Sequence, residues 1–295
     1  MTPAAATGRP LLAFAWMLGA IASFSTMTVA GRQLQAELSA PEVVAWRSLF
    51  GFVIVCAAIR FGRAGFAQVL PLRPWLHVQR NLVQYVGQVS WFSALMLIPM
   101  AQLTALEFTA PIWVALLAPL LLAERLTPRR ALAVALGFLG VLIVVQPGTA
   151  PLQMGHALAL LSALSFAVVI IWTRRITAHD TVLCVMFWMT ASHFLLGLLT
   201  SLALGITWPS AAIWPWIGVI AVVGLSAHFC LANAFLSAPV TMVAPMEFLR
   251  LPVIATVGAL VYAEAVTLAL VFGAAVILAG NLVNLGVLWP RRRRA

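Results

Sequence analysis

Runs of about twenty apolar residues recur along the whole chain, each closed by a turn signal or by arginines. A run of that length is what a helix needs to cross a bilayer. Inside the hydrocarbon only helices and closed barrels satisfy their own backbone groups, and the alternating pattern of a barrel strand is missing here. Ten spans can be drawn: near 11–30, 42–60, 77–97, 101–123 and 129–146, then near 155–173, 181–204, 213–236, 240–262 and 268–288. Charged residues make up 8% of the chain, against about a quarter in a soluble domain. The expected fold is an all-α membrane protein of ten transmembrane helices. The opening segment "RPLLAFAWMLGAIAS" imitates a secretory signal, but with so many spans after it we read it as a retained first helix.

The formal charge of +10 comes with 17 basic residues, all arginine, which lie mostly in short connections and in the tail "RRRRA". That distribution marks membrane topology and leaves no basic face for nucleic acid. The connection after span two has Arg60, Arg63 and Arg73, with Arg80 just inside span three. Arg125, Arg129 and Arg130 follow span four, Arg174 and Arg175 follow span six, and Arg291 to Arg294 follow span ten. The intervening connections hold at most Arg32. Both termini are therefore expected in the cytoplasm, in a bacterial inner membrane. Cys56, Cys184 and Cys230 stand singly in apolar runs, which suits packing, and no metal or cofactor is called for.

An internal repeat organises the chain. Pro99, Glu107, Phe108, Ala123, Glu124, Thr127 and Gly140 recur as Pro239, Glu247, Phe248, Ala263, Glu264, Thr267 and Gly280 at an offset of 140. Ser23, Phe24, Arg32 and Trp46 recur as Ser165, Phe166, Arg174 and Trp188 at an offset of 142. Two halves follow, 1–148 and 149–295, with five spans each. An odd number of spans places the second copy upside down, and inverted repeats are typical of secondary transporters. The segments "LEFTAPIWVALLAPLLLAERLTPRRALAVALGFLGVLIVV" and "MEFLRLPVIATVGALVYAEAVTLALVFGAAVILAG" resemble the paired EamA repeats of the drug/metabolite transporter superfamily, and the resemblance runs over essentially the full chain. It implies that spans one to four and six to nine surround a central cavity while spans five and ten pack outside. It also suggests a relation to YddG-type exporters of aromatic amino acids.

The charges inside spans are the natural site candidates, since an intramembrane ion is costly unless it is paired or wetted. Glu107 and Arg47 lie at similar depth from the outer ends of spans four and two, which suggests an ion pair. Glu247 and Arg250 are three residues apart on one helix face. The arginines are not repeat-related, so each glutamate is expected to have its own cation. Such pairs could hold a zwitterion or brace the helices. Span three carries a polar stripe, His77, Asn81, Gln84, Gln88 and Trp91, with Tyr85 beside it. A stripe this long cannot face lipid, and a wet cavity is preferred over interhelical bonding, with His77 near the interface. Ser23, Ser165 and His228 add milder polar positions. Trp113, Trp172 and Trp188 lie deep enough to offer rings to a substrate, whereas Trp75, Trp208 and Trp214 suit interfacial anchoring. Ala133 with Gly137, and Ala275 with Ala279, have helix-packing spacing.

No P-loop, zinc signature or GxSxG occurs, so nothing points to an enzyme. The expected function is a secondary transporter, by alternating access, of small amphipathic metabolites. Neutral or aromatic amino acids, moved outward, are the favoured substrate. The alternative is a membrane sensor or scaffold that binds a ligand or partner without moving it.

Overall fold

The computed structural model describes residues 9–62, 65–122, 127–147, 153–238 and 240–287. Arg63, Glu124, Arg125, Pro239 and the tail arginines lie outside the described residues. The helices are α1 (Pro10–Leu34), α2 (Ala40–Phe61), α3 (Pro74–Leu97), α4 (Met100–Glu107), α5 (Ala110–Leu122), α6 (Pro128–Val145), α7 (Met154–Ile176), α8 (Val182–Leu204), α9 (Trp214–Ser237), α10 (Val240–Glu247), α11 (Arg250–Tyr262) and α12 (Leu268–Leu285). A 3₁₀ turn, Gly65–Val69, precedes α3, and no strand occurs among the described residues. Nine helical segments among these residues are long and apolar enough to cross a membrane. The 24-residue α3 is not one of them, because it carries the polar stripe.

Two expected spans are each broken into two helices, α4 with α5 and α10 with α11. The cause of the first break is Pro111, which has no N–H to offer the carbonyl four residues back. The chain tightens there, with the Thr109 N–H bonded to the Leu106 carbonyl at 3.1 Å, and the helix resumes with the Ile112 N–H on the Thr109 carbonyl at 2.8 Å. In the second break the Leu249 N–H donates to the Met246 carbonyl at 3.1 Å. Freed backbone groups in hydrocarbon need partners. Asn281 on α12 supplies one, donating from Nδ2 to the Phe108 carbonyl at 2.8 Å. Asn284 also donates from Nδ2 to the Pro111 carbonyl, in the first turn of α5, at 3.2 Å.

The repeat is written into the element boundaries. Adding 140 to α3, α4, α5 and α6 returns the bounds of α9, α10, α11 and α12. The agreement extends to the caps. Thr127 accepts from the Arg130 N–H at 3.3 Å and Thr267 from the Leu270 N–H at 3.2 Å. Gln146 and Gly286, again 140 apart, end their helices in the left-handed region, at φ 48° and 81°.

The helices form two compact units, and each unit takes helices from both sequence halves. The first comprises residues 1–28, 98–153 and 223–295. In it α6 packs on α12, α4 on α11, and α1 on α9 through Ala20, Phe24 and Ala227. The second comprises residues 29–97 and 154–222, where α2 packs on α8 and α3 on α7. Outside this core Leu195, Leu199 and Leu202 on α8 form an exposed apolar stripe suited to lipid.

Small residues set the closest approaches, as expected where no hydrophobic effect drives helices together. A Cβ on Gly140 would lie 2.7 Å from the Gly273 carbonyl oxygen, and one on Gly273 2.8 Å from that of Gly140. On α12 the contacting small residues are therefore Gly273, Ala274 and Gly280, while Ala275, expected from spacing, faces outward. Alanine would gain about 1 kcal/mol of helix propensity at these positions. Overlap with a fixed carbonyl costs about 1–3 kcal/mol and wins. Gly140→Ala and Gly273→Ala are each expected to lower the Tm in detergent, whereas Gly218→Ala, with nothing within 4 Å of its added Cβ, leaves it unchanged or raised.

Candidate functional site

In the first unit the two helix breaks come together in chemistry. Glu107 ends α4 and Arg250 begins α11, and Arg250 Nη2 lies 2.9 Å from Glu107 Oε1. Each charge sits at the wrong end of its own helix, an anion at a C-terminus and a cation at an N-terminus. Each is therefore dependent on the other. The Arg250 guanidinium, only 2% exposed, also lies 5.0 Å from the centroids of the Phe24 and Phe108 rings. Phe108 in turn meets its repeat partner Phe248 edge to face at 4.8 Å. Glu247 acts electrostatically on the same arginine. Nη2 is thus engaged by Glu107, whereas Arg250 Nε is a buried donor without an acceptor.

Depth along straight helices points to Arg47 as the partner of Glu107, but the ion pair runs to Arg250. The break places Glu107 at the end of α4 and Arg250 at the start of α11, where the two meet. The expectation of a separate cation for each glutamate is corrected too, since both carboxylates bear on Arg250. Ser23 joins Ser226 at 2.9 Å, and His228 stands edge-on to Phe24 at 5.7 Å. Phe24 itself was not singled out by sequence; its repeat match to Phe166 was the available signal.

In the second unit the α3 stripe is buried, and much of it is helix–helix bonding. Asn81 Nδ2 donates to Ser192 Oγ at 3.2 Å, and the Tyr85 hydroxyl donates to Thr200 Oγ1 at 3.0 Å, both on α8. For Asn81 and Tyr85 the wet-cavity expectation gives way to interhelical bonds. Ser165 is likewise a packing residue, because a Cβ on Gly87 would lie 2.8 Å from its Cβ. Trp91 is 4% exposed and packs edge-on to Phe92. Trp188 donates from Nε1 to the Val69 carbonyl at 2.8 Å, which ties its ring to the connection before α3. Gln84 and Gln88 are different: each is 6% exposed, and each Oε1 is buried without a donor.

His77 is a buried latch where an interfacial residue was expected. Its Nε2 lies 2.8 Å from Asp180 Oδ2, and Asp180 Oδ1 accepts from the Leu72 N–H at 3.0 Å. Burial pushes the Asp180 carboxyl up, but the bonds from His77 and Leu72 together outweigh it and hold the group below its ordinary value. His77, Asp180 and Cys184 place possible metal-ligand atoms within 4.8 Å of one another, although the first two are already bonded together.

Two outcomes follow from these contacts. Glu107→Gln strands Arg250 and is expected to lower stability by about 3 kcal/mol, the low end for a buried pair, because Glu247 still faces the cation. Adding Arg250→Met should recover part of that loss in a double-mutant cycle of unfolding; additive losses would deny the coupling. For Asp180, a depressed pKa means stability present above the unfolded value and lost as pH falls through the folded one. Asp180→Asn should thus lower the Tm at neutral pH, and the difference should close below the usual carboxylate range.

Comparison with known proteins gives this geometry a context. The EamA-like transporter family matches residues 11–146. A protein named riboflavin transporter, from Rhizobium johnstonii, is 29% identical over 274 residues, covering 93% of this chain and 91% of the relative. One named S-adenosylmethionine uptake transporter, from Rickettsia prowazekii, is 25% identical over 267 residues, covering 90% of each. A solved crystal structure superposes with a TM-score of 0.63 at 22% identity, over 96% of this chain and 99% of its own, a likeness of fold alone. The chain thus carries an EamA-like transporter match over residues 11–146 and is similar to proteins named as transporters along nine-tenths of its length.

Proposed function

We propose that this transporter carries a small metabolite with a flat heteroaromatic ring across the bacterial cytoplasmic membrane, by alternating access and in the direction of uptake. The observation that carries the reading is the pair of broken helices, with Arg250 held between Phe24 and Phe108 at the break. Discontinuous helices are a recurring way for secondary transporters to present charge and free backbone to a substrate inside the membrane. Two phenyl faces suit a flat ring. The unused donor on Nε suits a ring carbonyl or nitrogen. Riboflavin and S-adenosylmethionine, named for the relatives, both contain such rings. Export of amino acids finds no support in those names, and uptake is the direction the S-adenosylmethionine relatives are named for.

In this reading α4 with α5, and α10 with α11, each make one span, and α3 is a tenth despite its polarity. The two halves are then inverted, with both termini in the cytoplasm. Contacts at the helix ends support that arrangement, because each joins segments that the arginine pattern assigns to one side. Ser210 donates to Glu37 at 2.7 Å and the Thr207 N–H to Glu42 at 2.5 Å on the outer side. The Met100 N–H reaches Glu264 at 2.8 Å on the same side. His77 with Asp180, and the Arg9 N–H with the Ser237 carbonyl at 3.1 Å, join inner ends.

The test is uptake of labelled riboflavin, S-adenosylmethionine and tryptophan into proteoliposomes. Protein-dependent flux of a heteroaromatic compound is expected to fall at least tenfold in Phe24→Ala and in Arg250→Gln. Tryptophan flux alone would return the substrate to amino acids, and saturable binding with no flux of any compound would assign the chain to the sensor class. Single cysteines at Arg130 and Arg175 should be labelled from the cytoplasmic side and one at Gly205 from outside.

A further inference from the structure

Arg80 lies on the α3 stripe, three residues after His77 and four before Gln84, and it is 5% exposed. Its position near Arg60, Arg63 and Arg73 in sequence suggests a topology arginine, yet the side chain is inside the second unit. The guanidinium donates from Nε to Thr173 Oγ1 at 3.1 Å and from Nη1 to Asn81 Oδ1 at 2.9 Å. Both acceptors are neutral, and among the described residues no carboxylate pairs with Arg80. Of five N–H donors two are engaged, so Nη2 and the second Nη1 hydrogen have no protein acceptor.

A buried cation held only by neutral groups is expensive, because their dipoles do not replace the hydration it has lost. The surroundings add to the imbalance. His193, 1% exposed on α8, is bonded to the Asn81 carbonyl at 3.1 Å, and both Arg80 and Arg47 act electrostatically on it. One and two turns on from Arg80, Gln84 and Gln88 bury acceptor oxygens that have no donor. The neutral partners are themselves fixed: Asn81 is held by Ser192, and Ser192 by the Trp188 carbonyl at 2.6 Å. Arg250 offers the contrast, since two carboxylates bear on it.

We infer that Arg80, positioned by Thr173 and Asn81, is an anion-binding site that takes an oxyanion, a carboxylate or phosphate group. A planar guanidinium with three free donors suits the paired oxygens of such a group. A hydroxyl or amino donor on the ligand would answer the bare oxygens of Gln84 and Gln88. The site goes beyond the ring-binding reading, and every residue in it belongs to the second unit. The same chemistry could come from a solute or from an anionic lipid headgroup.

The experiment is thermal unfolding of the purified full chain in uncharged detergent, titrated with inorganic phosphate at constant ionic strength. A parallel series uses nanodiscs of phosphatidylglycerol and of phosphatidylcholine. A ligand that binds only the folded protein raises the Tm in proportion to its occupancy. Wild type is expected to show a saturable rise with phosphate. Arg80→Gln should abolish it while leaving the phosphate-free Tm no lower than wild type, since it removes an uncompensated charge. Thr173→Val and Arg80→Lys keep the charge but lose its orientation, and should shift the half-saturating phosphate about tenfold upward. A rise that depends on Arg80 with phosphatidylglycerol and not with phosphate names the lipid headgroup as the source of the oxyanion. Absence of any rise in wild type in both series overturns the site, as does an equal rise in Arg80→Gln. If Arg80→Gln does not fold, an unshifted titration in Thr173→Val overturns it equally. Binding is read at equilibrium, so failure here leaves the transport assay of riboflavin untouched.

Discussion

Water is missing from the place where this chain must bend. In a soluble protein open carbonyls at the α4–α5 break would turn to solvent, but within a bilayer each needs a partner from the protein. Asn281 and Asn284 provide that partner from α12, which itself packs carbonyl to carbonyl with α6 through Gly140 and Gly273. The break is thus held open by a rigid neighbour. Its two consequences are the orientation of Phe108 and the exposure of two misplaced helix-end charges to one another. The Glu107–Arg250 contact follows from the same cause.

The scaffold keeps the repeat, whereas the chemistry departs from it. Glu107 and Glu247, Phe108 and Phe248, and the capping threonines are preserved across an offset of 140. Arg250 stands opposite Ala110, Asn281 opposite Val141, Asn284 opposite Val144, and Arg80 opposite Ile220. Symmetric packing needs only shape and small residues, so it tolerates duplication unchanged. A binding site for an asymmetric solute has no use for two equal halves, and the residues with distinctive donors are those that differ between the copies.

Periodicity located the polar face of α3 but was silent on what that face meets. Spacing puts His77, Asn81, Gln84 and Gln88 in line, and any helix with those residues would show the same line. Whether a given amide is bonded to α8, as Asn81 is, or left with a bare oxygen, as Gln84 is, depends on side chains more than a hundred residues away. Arg80 is the sharpest instance. Its charge in sequence reads as a topology signal, and only the packing of α7 and α8 around it makes it a buried cation among neutral groups.

The sequence by itself determined the helical class, the apolar runs and the repeat of residues at a fixed offset, because these rest on local quantities: apolar run length and residue identity along the chain. Tertiary structure alone decided which charges meet, which amides pair, and which glycines touch. Those outcomes turn on distances of a few ångströms between elements that the chain brings together only by folding. Depth along an ideal straight helix put Glu107 beside Arg47, and the break put it beside Arg250.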